Sequence, residues 1–132
     1  MAITTNQVYD AVAKAVRAEY PKAFTTSVKQ NIPSSFPCVE IVEIDTYPER
    51  YATALDFSDT QRRSVFEVQT FSNKANGAST EARAIIELVT AKFRTLGYRC
   101  MTQAPVVNAA DSTIQRYVAR YTRVIGGGDT LS

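Results

Sequence analysis

The chain has 132 residues, 45% apolar and 21% charged, as expected of one globular domain with a single core. A net charge of +2 is too small to demand a nucleic acid or membrane partner, and the apolar runs are too short to span a bilayer. The first ten residues, "MAITTNQVYD", lack the basic-then-apolar pattern of a signal peptide, so manufacture in a reducing cytoplasm is expected.

Residues 3–20 read as a first helix. Thr4 with Gln7 makes a capping box and Ile3 with Val8 a hydrophobic staple. Val8, Val12, Ala15, Val16 and Tyr20 recur at helical spacing, and Pro21 ends the run. Residues 24–30 predict a short strand, "NIPSSFP" a loop, and 38–45, "CVEIVEID", a firmer strand rich in β-branched residues. A polar connection over 46–61 follows. It is unusually long for a hairpin and carries Tyr47, Tyr51, Leu55 and Phe57.

The next strand is expected at 62–72, with Phe66, Val68 and Thr70 on one face and Val65, Glu67, Gln69 and Phe71 on the other. The corner "SNKANGAS" leads into a second helix over 79–96. Ala82, Ile85, Ile86, Val89, Phe93 and Leu96 line one side of it, and Gly97 is its C′ residue. Strands over 98–107 and 112–125 close the chain. In the last, Tyr117, Ala119 and Tyr121 share one face and Arg116, Val118, Arg120 and Thr122 the other. The pattern predicts an α+β fold: a largely antiparallel β-sheet of four to five strands packed against two helices on one face. It forms a single domain over 1–125, with a glycine-rich tail over 126–132.

Reactive groups are scarce. The absence of histidine removes the usual general base, the His-assisted nucleophile and the commonest zinc ligand. Cys38 and Cys100 are expected to be buried free thiols. Glu43 and Asp45, two apart on a strand and about 7 Å along it, suit either a metal-holding pair or a solvated sheet face, and the second reading is preferred. Arg62, Arg63, Arg116, Arg120 and Arg123 form either a basic stripe or separately paired surface arginines. The aromatic residues Tyr51, Phe57, Tyr117 and Tyr121 suit an interface or a core equally.

Several stretches, in order, resemble the tail terminator (tail completion, minor tail) proteins of siphophages and prophages. They are "FPCVEIVEID" at 36–45, "FEVQTFSNKANGASTEARAIIELV" at 66–89, "LGYRC" at 96–100 and "TIQRYVARYTRVI" at 113–125. The resemblance covers most of the chain; the long connection and the C-terminal glycines match poorly. It implies a structural virion protein of a long-tailed phage, without enzymatic activity, metal or cofactor. Such a protein is made in the host cytoplasm and resides in the tail and neck. It would form a ring, commonly a homohexamer, that caps the tail tube, joins the head–tail connector or stopper protein, and lets DNA through its lumen without sequence-specific binding. Tyr51, Phe57, Arg62, Arg63, Arg116 and Arg120 are the expected contact residues, with Glu43, Asp45, Asp56 and Asp59 as carboxylates for an arginine clamp. Two rivals stand beside this reading: another connector, adaptor or head-completion protein, and a monomeric nucleic-acid-binding α+β module using the arginines.

Overall fold

The computed structural model describes residues 3–28, 33, 35–48, 61–106 and 113–126, without the side chains of 45–48 and 61. The element order is α1 (Thr5–Glu19), β1 (Phe24–Thr26), β2 (Cys38–Pro48), β3 (Gln61–Ser72), α2 (Ala78–Thr95), β4 (Arg99–Val106) and β5 (Gln115–Gly126). This is an α+β domain: two helices on one face of a five-stranded sheet ordered β1-β2-β3-β5-β4. The pairings are antiparallel except for β1, which runs parallel to β2 with Phe24 opposite Cys38.

Local chemistry sets the helix ends. The Thr4 hydroxyl accepts from the Gln7 amide at 3.2 Å, and the Gln7 side chain accepts from the Thr4 amide at 3.0 Å, so the capping box forms. Ile3 and Val8 are both buried beside it. The inward face of α1 is Val8, Val12, Ala13 and Val16; Ala13 takes the place expected of Ala15, which is only half-buried. Helix α2 buries Ala82, Ile85, Ile86, Val89, Thr90 and Phe93, and Leu96 just beyond it. It stops at Gly97, whose φ of +85° is the left-handed conformation that glycine adopts without a Cβ penalty, and the Tyr98 amide donates back to the Phe93 carbonyl at 2.9 Å.

Register fixes the two faces of the sheet. Toward the helices point Val39 and Ile41, Phe66, Val68 and Thr70, and Tyr117, Ala119 and Tyr121. At the centre of this core Phe93 stacks on Tyr121 with centroids 4.2 Å apart and planes 9° apart, while Phe66 and Tyr98 approach it at 5.6 and 5.2 Å. The opposite face carries Glu40, Glu67, Gln69, Val118 and Arg120, with a small separate cluster of Cys38, Phe71 and Ile114 at one end.

Several strand bounds are corrected. The first strand ends at Thr26 rather than 30. Strand β2 runs to Pro48 and β3 starts at Gln61, so 46–48 and 61 belong to the ladder. Continuous pairing down to Pro48 opposite Arg62 extends the hairpin further than composition suggests. Strand β5 continues through Gly126, opposite Gln61, so the glycine run starts inside the sheet.

Candidate assembly interface

Of the six expected contact residues, Tyr51 and Phe57 lie outside the described residues, as do Asp56 and Asp59. The four arginines are placed, and register divides them between the two faces of the sheet.

Arg62 sits on the helix side. Its guanidinium donates to the Ile3 carbonyl at 2.8 Å and to the Glu43 carboxylate at 3.3 Å. Glu43 also accepts from the Thr5 hydroxyl at 2.6 Å and the Ser64 hydroxyl at 2.5 Å, and Ser64 in turn accepts from the Tyr98 phenol at 2.9 Å. With 10% of its side chain exposed, Glu43 is not on a solvated sheet face, nor is it available to a neighbour. It holds the start of α1 against the β2–β3 hairpin. A register shift between Glu43 and Asp45 puts Glu43 opposite Phe66 and Asp45 opposite Val65, one step out of phase. Strand alternation alone would put positions 43 and 45 on one face of the ladder; the bulge breaks that alternation.

Arg123, also on the helix side, donates to the Leu96 carbonyl at 2.6 Å and closes the C-terminal end of α2. On the opposite face Arg63 donates to the Thr122 hydroxyl at 3.3 Å. Arg120 contacts Glu67 at 3.0 Å, with its own side chain half exposed and that of Glu67 only 10% exposed. Gln69 donates to both Glu40 and Glu67 at 3.3 and 3.4 Å. Two acidic side chains are thus held on the open face between an amide and a guanidinium. The Arg116 guanidinium lies over the Phe71 ring at 5.7 Å, a cation–π contact, and its buried Nε has no hydrogen-bond partner among the described residues. Paired arginines therefore describe this chain better than a continuous basic stripe.

Tyr117 and Tyr121 face the helices. Tyr121 is fully buried, and its hydroxyl is 2.7 Å from that of Thr90; burial pushes its phenol above the ordinary range. Burial raises the Tyr98 phenol in the same way. Cys38 is wholly buried, and burial, assisted by the nearby Glu40, pushes its thiol up to about 12. Cys100 is only half-buried, a correction to the expectation of two core thiols; it packs from edge strand β4. Both thiols are free. They belong to strands separated by β3 and β5, roughly 14 Å apart at ~4.8 Å per strand, so no bridge can join them.

Both sheet edges resist strand addition. Strand β1 has only three residues. Strand β4 is broken by a register shift between Cys100 and Thr102, where Met101 is 55% exposed, and carries Pro105, which has no amide hydrogen. The open sheet face and the two ends of the sheet are available for contact. At one end the β2–β3 stem delivers the connection 49–60. At the other, the C-terminal end of α1 and the start of α2 enclose shallow grooves. One of about 330 Å³ is lined by Glu19, Tyr20, Pro21, Lys22, Ala23, Pro37 and Glu81. The length and aromatic content of the connection were legible in the sequence, whereas the bulge and the Arg62–Glu43 pair left no compositional mark.

No known protein family and no curated protein matches the chain.

Proposed function

We propose that this protein is a structural component of a phage tail, a terminator that assembles as a homomeric ring, caps the tail tube and meets the head–tail connector. The observation carrying this reading is the placement of the long connection. Strands β2 and β3 stay paired, past the bulge, down to Pro48 opposite Arg62, and residues 49–60 join the two strands beyond that pair. A connection between adjacent antiparallel strands needs only two to five residues. Twelve residues holding Tyr51, Leu55 and Phe57 offer aromatic and aliphatic contact area of the kind that anchors interfaces. Blunted sheet edges support the same reading, because they direct contact to loops and faces and away from open-ended strand addition.

The arginines favour this over a nucleic-acid-binding module. Arg62 and Arg123 are engaged with backbone carbonyls and Arg120 with Glu67, so these three do not combine into one open stripe for phosphates. Native mass measurement, with electron microscopy of tail tubes polymerised with and without the protein, is the test. A closed homomeric ring and tubes of defined length are expected. A persistent monomer, or tubes that elongate unchecked, would refute the reading, and retardation of DNA that weakens steeply with salt would favour the rival module.

A further inference from the structure

We infer that copies of this chain join side by side through side chains: Met101 of β4 on one copy seats at the cleft beside β2 of the next, and Arg99 meets Asp10 across the contact. This rests on the ring reading above and names the contact that builds it.

Three large apolar side chains stand exposed among the described residues: Val28, Ile44 and Met101, at 63, 37 and 55%. Two of them are bulge residues. Ile44 falls between Glu43, opposite Phe66, and Asp45, opposite Val65; Met101 falls between Cys100, opposite Tyr121, and Thr102, opposite Arg120. The bulges lie on opposite margins of the sheet. Strand β4 is outermost on one side, and on the other β1 pairs with β2 only from Cys38 to Glu40. A bulge at an edge interrupts the ladder and re-aims a side chain. Both margins therefore refuse a strand while each offers one aliphatic residue. Glu43, Phe66, Tyr121 and Cys100 form one cross-strand row. Ile44 and Met101 are each one residue from it, so they sit within about two residue steps, ~7 Å, of the same height.

The β2 margin is concave. A cleft of about 550 Å³ opens between the first turns of α1 and β2, with Tyr9, Asp10, Ser27 and Val42 in its lining. Val28 and Ile44 follow directly on the lining residues Ser27 and Glu43, so exposed apolar side chains flank it. An unbranched, polarisable methionine adapts to such an irregular gap and makes favourable contact with an aromatic ring such as Tyr9. The charges match as well. Glu43 is held by Arg62, but Asp10 is exposed and has no ion pair among the described residues. Arg99, two residues before Met101, is likewise exposed and without an ion pair among them. A carboxylate on one margin and a guanidinium on the other suit a second copy of the same chain. Strands β3 and β5 separate the margins by roughly 14 Å at ~4.8 Å per strand, so no copy fills its own cleft. Two different patches make a heterologous contact, which closes into a ring or runs on as a filament.

Charge-swap variants of the full-length chain test this, with assembly read by native mass and folding by circular dichroism. Asp10→Arg and Arg99→Asp each set like charges together and should each weaken assembly about 10-fold or more. The double variant carries both reversed charges, restores the pair in every contact, and should assemble to within about 3-fold of the unmodified chain. Met101→Glu changes an exposed position and should weaken assembly about 30-fold or more, while Met101→Leu should still assemble. A double variant no better than the single ones would overturn the pairing, and so would a folded Met101→Glu that assembles like the unmodified chain. An unmodified ring that persists through all of these variants sinks this contact and leaves the ring reading standing. An unmodified chain that never leaves the monomer sinks both.

Discussion

Phe93→Ala removes the ring on which the core is organised. Phe93 is wholly buried, stacked on Tyr121 at 4.2 Å and met edge-on or at a tilt by Tyr98 and Phe66 at 5.2 and 5.6 Å. Truncating a buried phenylalanine costs about 3–5 kcal/mol through lost transfer energy and the cavity left behind. Three aromatic neighbours, each worth about 0.5–1.5 kcal/mol beyond area, place the change at the upper end, about 4–5 kcal/mol. The cavity walls come from α2, β3, β5 and Tyr98, and elements fixed by separate ladders cannot all close in on it. A domain of this size has about 5–15 kcal/mol in total, so the variant should be folded but marginal. Its thermal midpoint should fall by roughly 15–20 °C, at ~4 °C per kcal/mol. Urea unfolding followed by far-ultraviolet circular dichroism, with an unchanged slope, measures the loss. Phe93→Leu, which keeps most of the volume but none of the stacking, should recover about half of it. A loss under about 1.5 kcal/mol for Phe93→Ala would show that this ring is not the centre of the core.

Glu43→Ala should cost about 2 kcal/mol, since Arg62, Ser64 and Thr5 each lose an acceptor; an equilibrium change below about 0.5 kcal/mol would contradict the role given to it. Gly97→Ala should destabilise by about 1–2 kcal/mol, because φ is +85° and a Cβ would sit 3.2 Å from the Arg123 guanidinium; thermal melting reads this, and a neutral result would refute it. The Cys38 thiol, at about 12 in the fold against an ordinary 9.0, stays protonated where an unfolded chain would release its proton. The folded state then binds more protons than the unfolded one, so this group's stabilisation is complete below pH 9 and is lost progressively between pH 9 and 12. Cys38→Ala should flatten that part of the stability–pH curve, and an unchanged slope would contradict the assignment. In native protein at pH 8, alkylation should label Cys100 well before Cys38, and mass mapping that shows the reverse order would overturn their relative burial.

Period and punctuation carried the fold. The capping box at Thr4, the stripe from Ala82 to Leu96, the stop at Gly97 and the alternation of Phe66, Val68 and Thr70 are local signals, and each element formed where its signal lay. The parallel pairing of β1 was not legible, because three residues set no register of their own; they follow the chain as Pro37 accepts from the Phe24 amide at 2.8 Å. The bulge at Ile44 was equally hidden, since one extra residue in a ladder leaves no mark on composition. Arginine roles were the least legible. Strand alternation placed Arg116 and Arg120 on one face correctly, but whether an arginine reaches a carbonyl, a carboxylate or a ring depends on what the opposing strand and helix end present. Tyr51 and Phe57 lie outside the described residues.

The strand order β1-β2-β3-β5-β4 has a consequence for synthesis. Strand β5 lies between β3 and β4, yet it is the last of the five to leave the ribosome. Until it does, β3 presents one side of its backbone unpaired, β4 has no partner, and Phe93 lacks the Tyr121 ring it stacks on. The growing chain cannot bank its core piecemeal: β2 and β3 can pair as they emerge, but the sheet is completed in one late event. During that interval the β3 edge is open to any neighbouring nascent chain, and a translational pause before residue 115 would lengthen the exposure. Yield of soluble protein should therefore depend on the rate at which codons 115–126 are read, in a way that an internal strand made early would never show.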